Sequence, residues 1–249
     1  MNRIMISISQ VAHLVNMSLS SFFAEKQHIL LKNAAEYGIL KAKKHRRKIM
    51  TETEKMFSGK MYDPFTEGMP EARRRAHELC QKYNTIPESE TEKREEILRL
   101  LMPDHAEGVY LQGPIQFDFG THISMGKNSY ANFNFCVLDE NRVTIGDNVF
   151  IGPNCSILTP IHPLCHEDRN TGFEYSAPVT IEDNCWLGGS VTVLPGVTIG
   201  AGSVIGAGSV VTKSIPAGSL AYGNPCRVAR KLTEADRIAN RPELFRKNA

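Results

Sequence analysis

No two of the chain's six cysteines form a CxxC pair, no apolar run approaches the roughly 18 residues that a membrane span needs, and neither sign of charge dominates. The missing CxxC spacing removes the common zinc and dithiol signatures. A net charge of +2 over 249 residues gives no reason to invoke nucleic acid or a membrane surface. A clean secretory signal is also missing: the apolar opening MNRIMISISQVAHLVNMSLSSFF is interrupted by His13 and Asn16, and no small-residue cleavage site comes after it. Cys136, Cys155 and Cys185 fall where a small apolar residue suits a six-residue repeat, so buried, reduced thiols and a cytoplasmic protein are expected.

Residues 1–49 are basic, with KAKKHRRK at 41–48, and unrelated in character to the rest of the chain. At Met50 the sequence turns to MTETEKMFSGKMYDPF. The reading taken is that Met50 is the true start and the preceding segment is translated upstream DNA, Arg46 and Arg47 being codable as a purine-rich ribosome-binding site. A targeting arm and a basic tail for an acidic partner are the alternatives.

Residues 50–112 are expected to form a helical cap. Pro70 suits a first helical position, with Glu71 near the positive end of the helix dipole. Ser89-Glu90-Thr91-Glu92 has the pattern of a capping box ahead of KREEILRLLM, which Pro103 closes. A short C-terminal helix is expected in KLTEADRIANRPELF, at the start of the tail 231–249.

Between these ends the dominant signal is a period of six. It runs through Phe119, Met125, Ala131 and Val137, shifts by two, continues through Ile145, Ile151 and Ile157, and resumes from Ile181 through Leu187, Val193, Ile199 and Ile205 to Val211. Glycine or an acid often follows the apolar residue, and a small or β-branched residue often sits four places on, as at Ser129, Val149 and Val191. Neither a helix nor a two-residue strand alternation has this spacing. One short strand plus a turn does, and three such units make one coil of a parallel β-helix, here spanning 113–230 and interrupted by a polar loop at 158–178. Each coil is stabilised by its neighbours, and the ends need covers.

YANFNF at 130–135, VTIGDNVFIGPNCSILTPIHPL at 143–164, the segment 183–228 ending in GNPCRV, and SGKMYDPFTEGMPEAR at 58–73 together resemble the maltose and galactoside O-acetyltransferases, a branch of the hexapeptide-repeat acyltransferases. The resemblance implies a mainly β chain, a left-handed parallel β-helix, assembled as a homotrimer with sites between subunits. It implies acetyl transfer from acetyl-CoA to a sugar hydroxyl, with maltose or glucose favoured over a galactoside or a non-sugar acceptor, and no metal. His162 matches the catalytic base, a role that suits an imidazole titrating near neutral pH. Glu174 matches a carboxylate that orients the imidazole, and Asn132 a contact to the acceptor hydroxyl. The remaining acceptor contacts implied are Asp63, Arg73, Asp118, Asp139 and Glu140. Asp118 stands where the galactoside enzyme has serine, and Asp139-Glu140 replaces two aspartates. Coenzyme A is assigned to Gly189, Ala207, Thr212, Lys213, Arg227 and Arg230, with the Gly189 amide a candidate oxyanion donor.

Two other classes compete. A zinc enzyme of the γ-carbonic anhydrase kind would draw on His122, His162 and His166, but that family's ligand spacing differs and GNPCRVARK would go unexplained. A non-catalytic binding scaffold would have no use for His162, the acidic residues and the basic tail together.

Overall fold

The computed structural model describes residues 49–241 and 244. The extension expected at 1–49 therefore lies, apart from Ile49, outside the described residues. Short parallel strands of two to four residues wind into a left-handed β-helix with three faces. Face I stacks Asp104–His105, Ile123–Met125, Val143–Ile145, Val179–Ile181 and Thr198–Ile199. Face II begins at Tyr110–Leu111 and runs through Tyr130–Ala131, Phe150–Ile151, Trp186–Leu187 and Val204–Ile205 to Ser219–Tyr222. Face III stacks Ile115–Phe117, Phe135–Leu138, Ser156–Leu158, Thr192–Val193 and Val210–Val211. Solenoid structure thus begins at Asp104, inside the segment read as cap.

The core is three inward ladders. Met125, Ile145, Ile181 and Ile199 stack on face I; Ala131, Ile151, Leu187, Ile205 and Ala221 on face II; Phe117, Val137, Ile157, Val193 and Val211 on face III. All are buried, so truncating a central rung such as Ile181 to alanine costs about 2–5 kcal/mol. One expected rung is corrected: Val137 stacks on Phe117, not in a column with Phe119. The step from Phe117 to Met125 is eight residues, so the corner carries two residues more than the six-residue rule allows, and Phe119 belongs to that corner.

The irregularities in rung spacing all fall at one corner. From face I to II, and from II to III, successive rungs are six residues apart. From III to I they are eight (Phe117 to Met125), eight (Val137 to Ile145), twenty-four (Ile157 to Ile181), six (Val193 to Ile199) and, at the last coil, four (Val211 to Ile215, which bridges Ile199). Three successive coils break their period at one corner.

The N-terminal cap closes the first coil. Helix α1 (Glu52–Phe57) starts at a capping box in which Thr51 and Glu54 bond each other's amides. Helix α2 (Met69–Thr85), with proline in its first turn, buries Ala76, Leu79, Cys80 and Tyr83, and helix α3 (Thr91–Leu101) comes after it. The box expected at Ser89 is not used: α3 begins at Thr91 behind Glu90, whose side chain makes no cap bond. The first coil has no preceding coil to pair with, and cap side chains take that place. Asn84 exchanges hydrogen bonds with the Ile115 amide (2.8 Å) and carbonyl (2.9 Å), and the Tyr83 hydroxyl donates to the Leu111 carbonyl. Arg94, buried, donates to Leu111 and Gln112, and its guanidinium lies over the rings of Tyr83 (4.4 Å) and Tyr110 (5.7 Å) beside a cavity of about 310 Å³.

At the other end Arg227–Lys231 is an antiparallel strand against Ser219–Tyr222, and two 3-10 turns, Glu234–Asp236 and Ile238–Asn240, stand where a helix was expected. All six cysteines are free. Cys136 occupies an outward, half-buried strand position, whereas Cys155 and Cys185 are buried and turn their thiols to the Gly188 and Gly200 carbonyls. Among the described residues no helix is long and apolar enough to cross a membrane.

Candidate functional site

The broken corner is also where the ionisable residues collect. Its third interruption leaves the solenoid as a two-stranded antiparallel arm, Pro160–Ile161 against Tyr175–Ser176, with Ile161 opposite Tyr175. One step beyond that pair, the register sets His162 opposite Glu174. His162 Nε2 lies 3.6 Å from Glu174 Oε2; the histidine is largely exposed and the glutamate buried.

Glu174 is held from its other side by a strap from the cap. The Tyr62 amide donates to the Glu174 carbonyl (2.9 Å), the Glu174 amide donates to the Tyr62 carbonyl (3.2 Å), and the Tyr62 hydroxyl donates to Glu174 Oε1. The strap is anchored again at Met56, whose carbonyl accepts from Ser176 Oγ (2.8 Å) and Asn141 Nδ2 (3.1 Å). Met56, Tyr62 and Met69 form a small separate core beneath it.

A cleft of about 400 Å³ opens between strap, corner and loop, lined by Pro64, Phe65, Arg73, Asp118, Glu140, His162, Arg169, Gly172 and Glu174. Arg73 donates to the Pro64 carbonyl (2.6 Å) with its guanidinium 5.6 Å from the Phe119 ring centre, and Asp118 pairs with His77 one turn further along α2 (3.2 Å). Arg169, in the single-turn helix α4 (His166–Arg169) of the loop, donates to the Pro163 and Leu164 carbonyls beside His162.

Two adjacent acids in the corner do different work. Asp139 is fully buried and faces inward: Oδ1 accepts from the Phe119 amide (2.8 Å) and Oδ2 from the His122 amide (3.3 Å), sewing one coil's corner to the last. Burial lifts its carboxyl from the ordinary 3.8 to about 6, against the pull of those amides. Asp139, expected at the acceptor, turns its carboxylate to these two amides and does not line the cleft. Glu140 faces the cleft, nearly buried, with Oε2 lacking any partner. Burial, then a hydrogen bond with Asp118 and the charges of Asp118 and Glu174, push its carboxyl well above the usual range. Such a group keeps its proton at neutral pH and can donate a hydrogen bond. Asp63, also expected at the acceptor, accepts from the Phe65 amide (2.9 Å) and does not line the cleft.

The other expected residues lie elsewhere on the solenoid. Asn132 follows the face II strand at the II–III corner, and its Oδ1 accepts from the next amide, Phe133 (2.7 Å). It is not a rung of the asparagine ladder: Asn128 and Asn134 hold those positions, with φ of 57° and 59°. Gly189 and Ala207 line the same II–III corner two and three coils on. Repeat geometry demands glycine at 188, where an added Cβ would come within 2.7 Å of the Ala207 amide; at 189 it would meet only Pro153, at 3.4 Å. The main chain at Gly189 is therefore open to close approach by a ligand. Thr212 and Lys213 follow the last face III strand, and Arg227 and Arg230 sit on the exposed terminal strand. Arg230 is engaged by Asp236 through two bonds of 2.6 and 2.7 Å.

Among the described residues no three His, Cys, Asp or Glu side chains converge as a metal cluster. His122, one ligand of the zinc alternative, is half-buried between Phe57 and Phe119 with Nδ1 2.6 Å from the Asp139 carbonyl, and desolvation lowers its proton affinity. His166 pairs with Glu167. Sequence reading missed Tyr62, His77 and Arg169. His77 lies one helical turn from Arg73, a spacing that could have found it; Tyr62 lies inside the quoted YDPF motif with no pattern to single it out.

The chain matches the maltose acetyltransferase hexapeptide capping motif over residues 55–105 and the hexapeptide repeat of succinyl-transferase over 142–162 and 178–213. It is 44% identical over 188 residues to galactoside O-acetyltransferase of Escherichia coli (strain K12), covering 76% of this chain and 93% of that one. Among solved structures, a maltose O-acetyltransferase from Clostridium difficile 630 is 46% identical with a TM-score of 0.72, covering 74% of this chain and 99% of that one. A galactoside acetyltransferase in complex with coenzyme A is 44% identical with a TM-score of 0.73, covering 76% and 94%.

Proposed function

The chain belongs to the maltose and galactoside O-acetyltransferases of the hexapeptide-repeat class and is an acetyl-CoA-dependent O-acetyltransferase, and we propose that its acceptor is a sugar hydroxyl activated by His162. The observation that carries this reading is the cleft at the broken corner, where an accessible imidazole backed by a buried carboxylate faces Arg73, Asp118 and Glu140. A guanidinium, an acid and a protonated acid supply donors and acceptors in fixed directions, which is what a polyol needs.

In the proposed mechanism a ring nitrogen of His162 takes the hydroxyl proton as the sugar oxygen attacks the thioester carbonyl. Backbone amides, with Gly189 the first candidate, hold the oxyanion. The C–S bond then breaks, and the imidazolium returns its proton to the departing thiolate. Glu174 orients the imidazole and offsets its transient charge. Lys213 and Arg227 meet the phosphates of the donor, and Asn132 meets the acceptor hydroxyl.

Asn132, Gly189 and Ala207 edge face III on the side away from His162, and face II exposes Tyr110, Phe150 and Trp186 in one outward row. Both features support a homotrimer in which adjacent copies share each site. Sedimentation equilibrium of the purified chain returns three times the monomer mass in this reading. Co-assembly of His162→Ala with Asn132→Ala then restores part of the activity that each lacks alone.

The acceptor is tested by release of free thiol from acetyl-CoA with maltose, glucose, galactosides, serine and an aminoglycoside. Turnover with maltose or glucose is expected; turnover with serine or the aminoglycoside alone would move the acceptor out of the sugars.

A further inference from the structure

We propose that Tyr62 is a positioning residue for the acetyl-transfer site: its hydroxyl, delivered by the N-terminal strap, holds Glu174 in the orientation that faces His162. The inference rests on the reading of His162 as base and deepens it. It takes in a residue from the cap, 112 positions away in sequence from its partner.

The two residues meet through three hydrogen bonds, two between main chains and one from the hydroxyl to Oε1. The main-chain pair sets the depth of the strap, so the hydroxyl reaches the carboxylate without freedom to wander. Glu174 Oε1 is thereby occupied, and Oε2 is the oxygen left to His162, 3.6 Å away. A carboxylate bonded on one side only could rotate about its last torsion, which is broad for Glu. The Tyr62 bond removes that freedom.

The surroundings suit a permanent donor. Tyr62 is fully buried, and burial, then the bond to Glu174 and the charge of Glu174, keep its proton in place against the pull of Arg73. The strap cannot withdraw alone, because Ser176 and Asn141 grip the Met56 carbonyl. Arm, corner and cap are thus bolted together next to the reacting imidazole, which is how a supporting shell keeps a site in register.

The test is a double-mutant cycle on the full chain with Tyr62→Phe, Glu174→Leu and both together, read in three ways. In turnover, Tyr62→Phe lowers kcat about tenfold, the scale of one hydrogen bond to a charged group, with the acceptor KM changed less than about twofold. In the Glu174→Leu background the same substitution lowers kcat no further. In NMR, the His162 ring resonances, assigned by their loss in His162→Ala, shift on Tyr62→Phe in the parent and stay put in the Glu174→Leu background. In thermal unfolding, the double variant is more stable than Glu174→Leu alone, because a buried hydroxyl left without a partner has been removed. Equal kcat losses in both backgrounds, or His162 resonances indifferent to Tyr62, would overturn the proposal. The NMR and unfolding arms need no acceptor. Absent turnover with a coupled NMR cycle would count against the acetyl-transfer reading alone, and His162-dependent turnover with an uncoupled cycle against Tyr62 alone.

Discussion

The I–II and III–I corners are built on the same coils and lead opposite lives. At the I–II corner the period of six never fails, and polar groups saturate one another from coil to coil. Asp183 Oδ1 takes the Asp147 amide and Asp147 Oδ1 the Lys127 amide, while Asn128, Asn148 and Asn184 stack with their backbones at φ of 57°, 53° and 60°. Asparagine tolerates that left-handed conformation, and its side chain reaches the next copy at 3.4 Å, so the turns are tied from coil to coil. At the III–I corner extra residues enter in three successive coils, and the groups they bring remain unsatisfied or perturbed. Glu140 keeps an unpartnered oxygen, Asp139 holds its proton to about 6, and His162 stands in the open. The I–II corner keeps its period and makes structure; the III–I corner breaks it and gathers the perturbed acids and His162.

The sharpest way to break that contrast is a substitution whose effect falls on one side only. At the broken corner, His162→Ala lowers kcat about a thousandfold, the usual range for losing a general base, with the melting temperature unchanged. A parallel fall in melting temperature would make His162 part of the fold. At a regular corner the balance reverses. Gly188→Ala drives a Cβ toward the Ala207 amide and destabilises the fold by about 3 kcal/mol in denaturant titration, whereas its neighbour Gly189→Ala leaves stability alone and raises the KM for acetyl-CoA.

Asp139 sharpens the comparison by pH. Its carboxyl is raised in the folded state, so the folded chain holds a proton that the unfolded chain has released, and ionisation works against the fold. Its contribution is therefore most favourable below the unfolded value of 3.8 and is lost as pH rises to about 6. Asp139→Asn should flatten the melting-temperature profile across that window relative to wild type. An unchanged profile would mean that the inward acid carries no proton linkage.

How much of this was legible in the sequence divides along the same line. The ladders were legible because each rung repeats the last, and stacking rewards the same residue type at the same step. The single misplaced rung arose because Phe119 happens to be apolar and six residues before Met125, while the true rung, Phe117, is eight before it. The strand at Arg227–Lys231 was hidden for a different reason: its residues have no strand pattern of their own and are recruited by the open edge of face II. At the site, His162 and Glu174 stood out only through a motif resemblance, and no period would have paired them. That Asp139 turns inward and Glu140 outward depends on how two extra residues settle in a corner, which composition does not encode. Tyr62 was beyond reach, since its partner is fixed by where the cap lands on the solenoid.

The most direct test removes the interruption itself. Deleting residues 159–176 joins Leu158 to Ala177 and leaves Ile-Leu-Ala-Pro-Val-Thr-Ile, which matches the regular corner one coil on, Val-Leu-Pro-Gly-Val-Thr-Ile at 193–199, in length and apolar pattern. The account predicts a chain that still folds cooperatively and still binds coenzyme A, with no detectable transfer of acetyl groups to any acceptor that wild type uses. Retained turnover, or a chain that cannot fold without the loop, would contradict it.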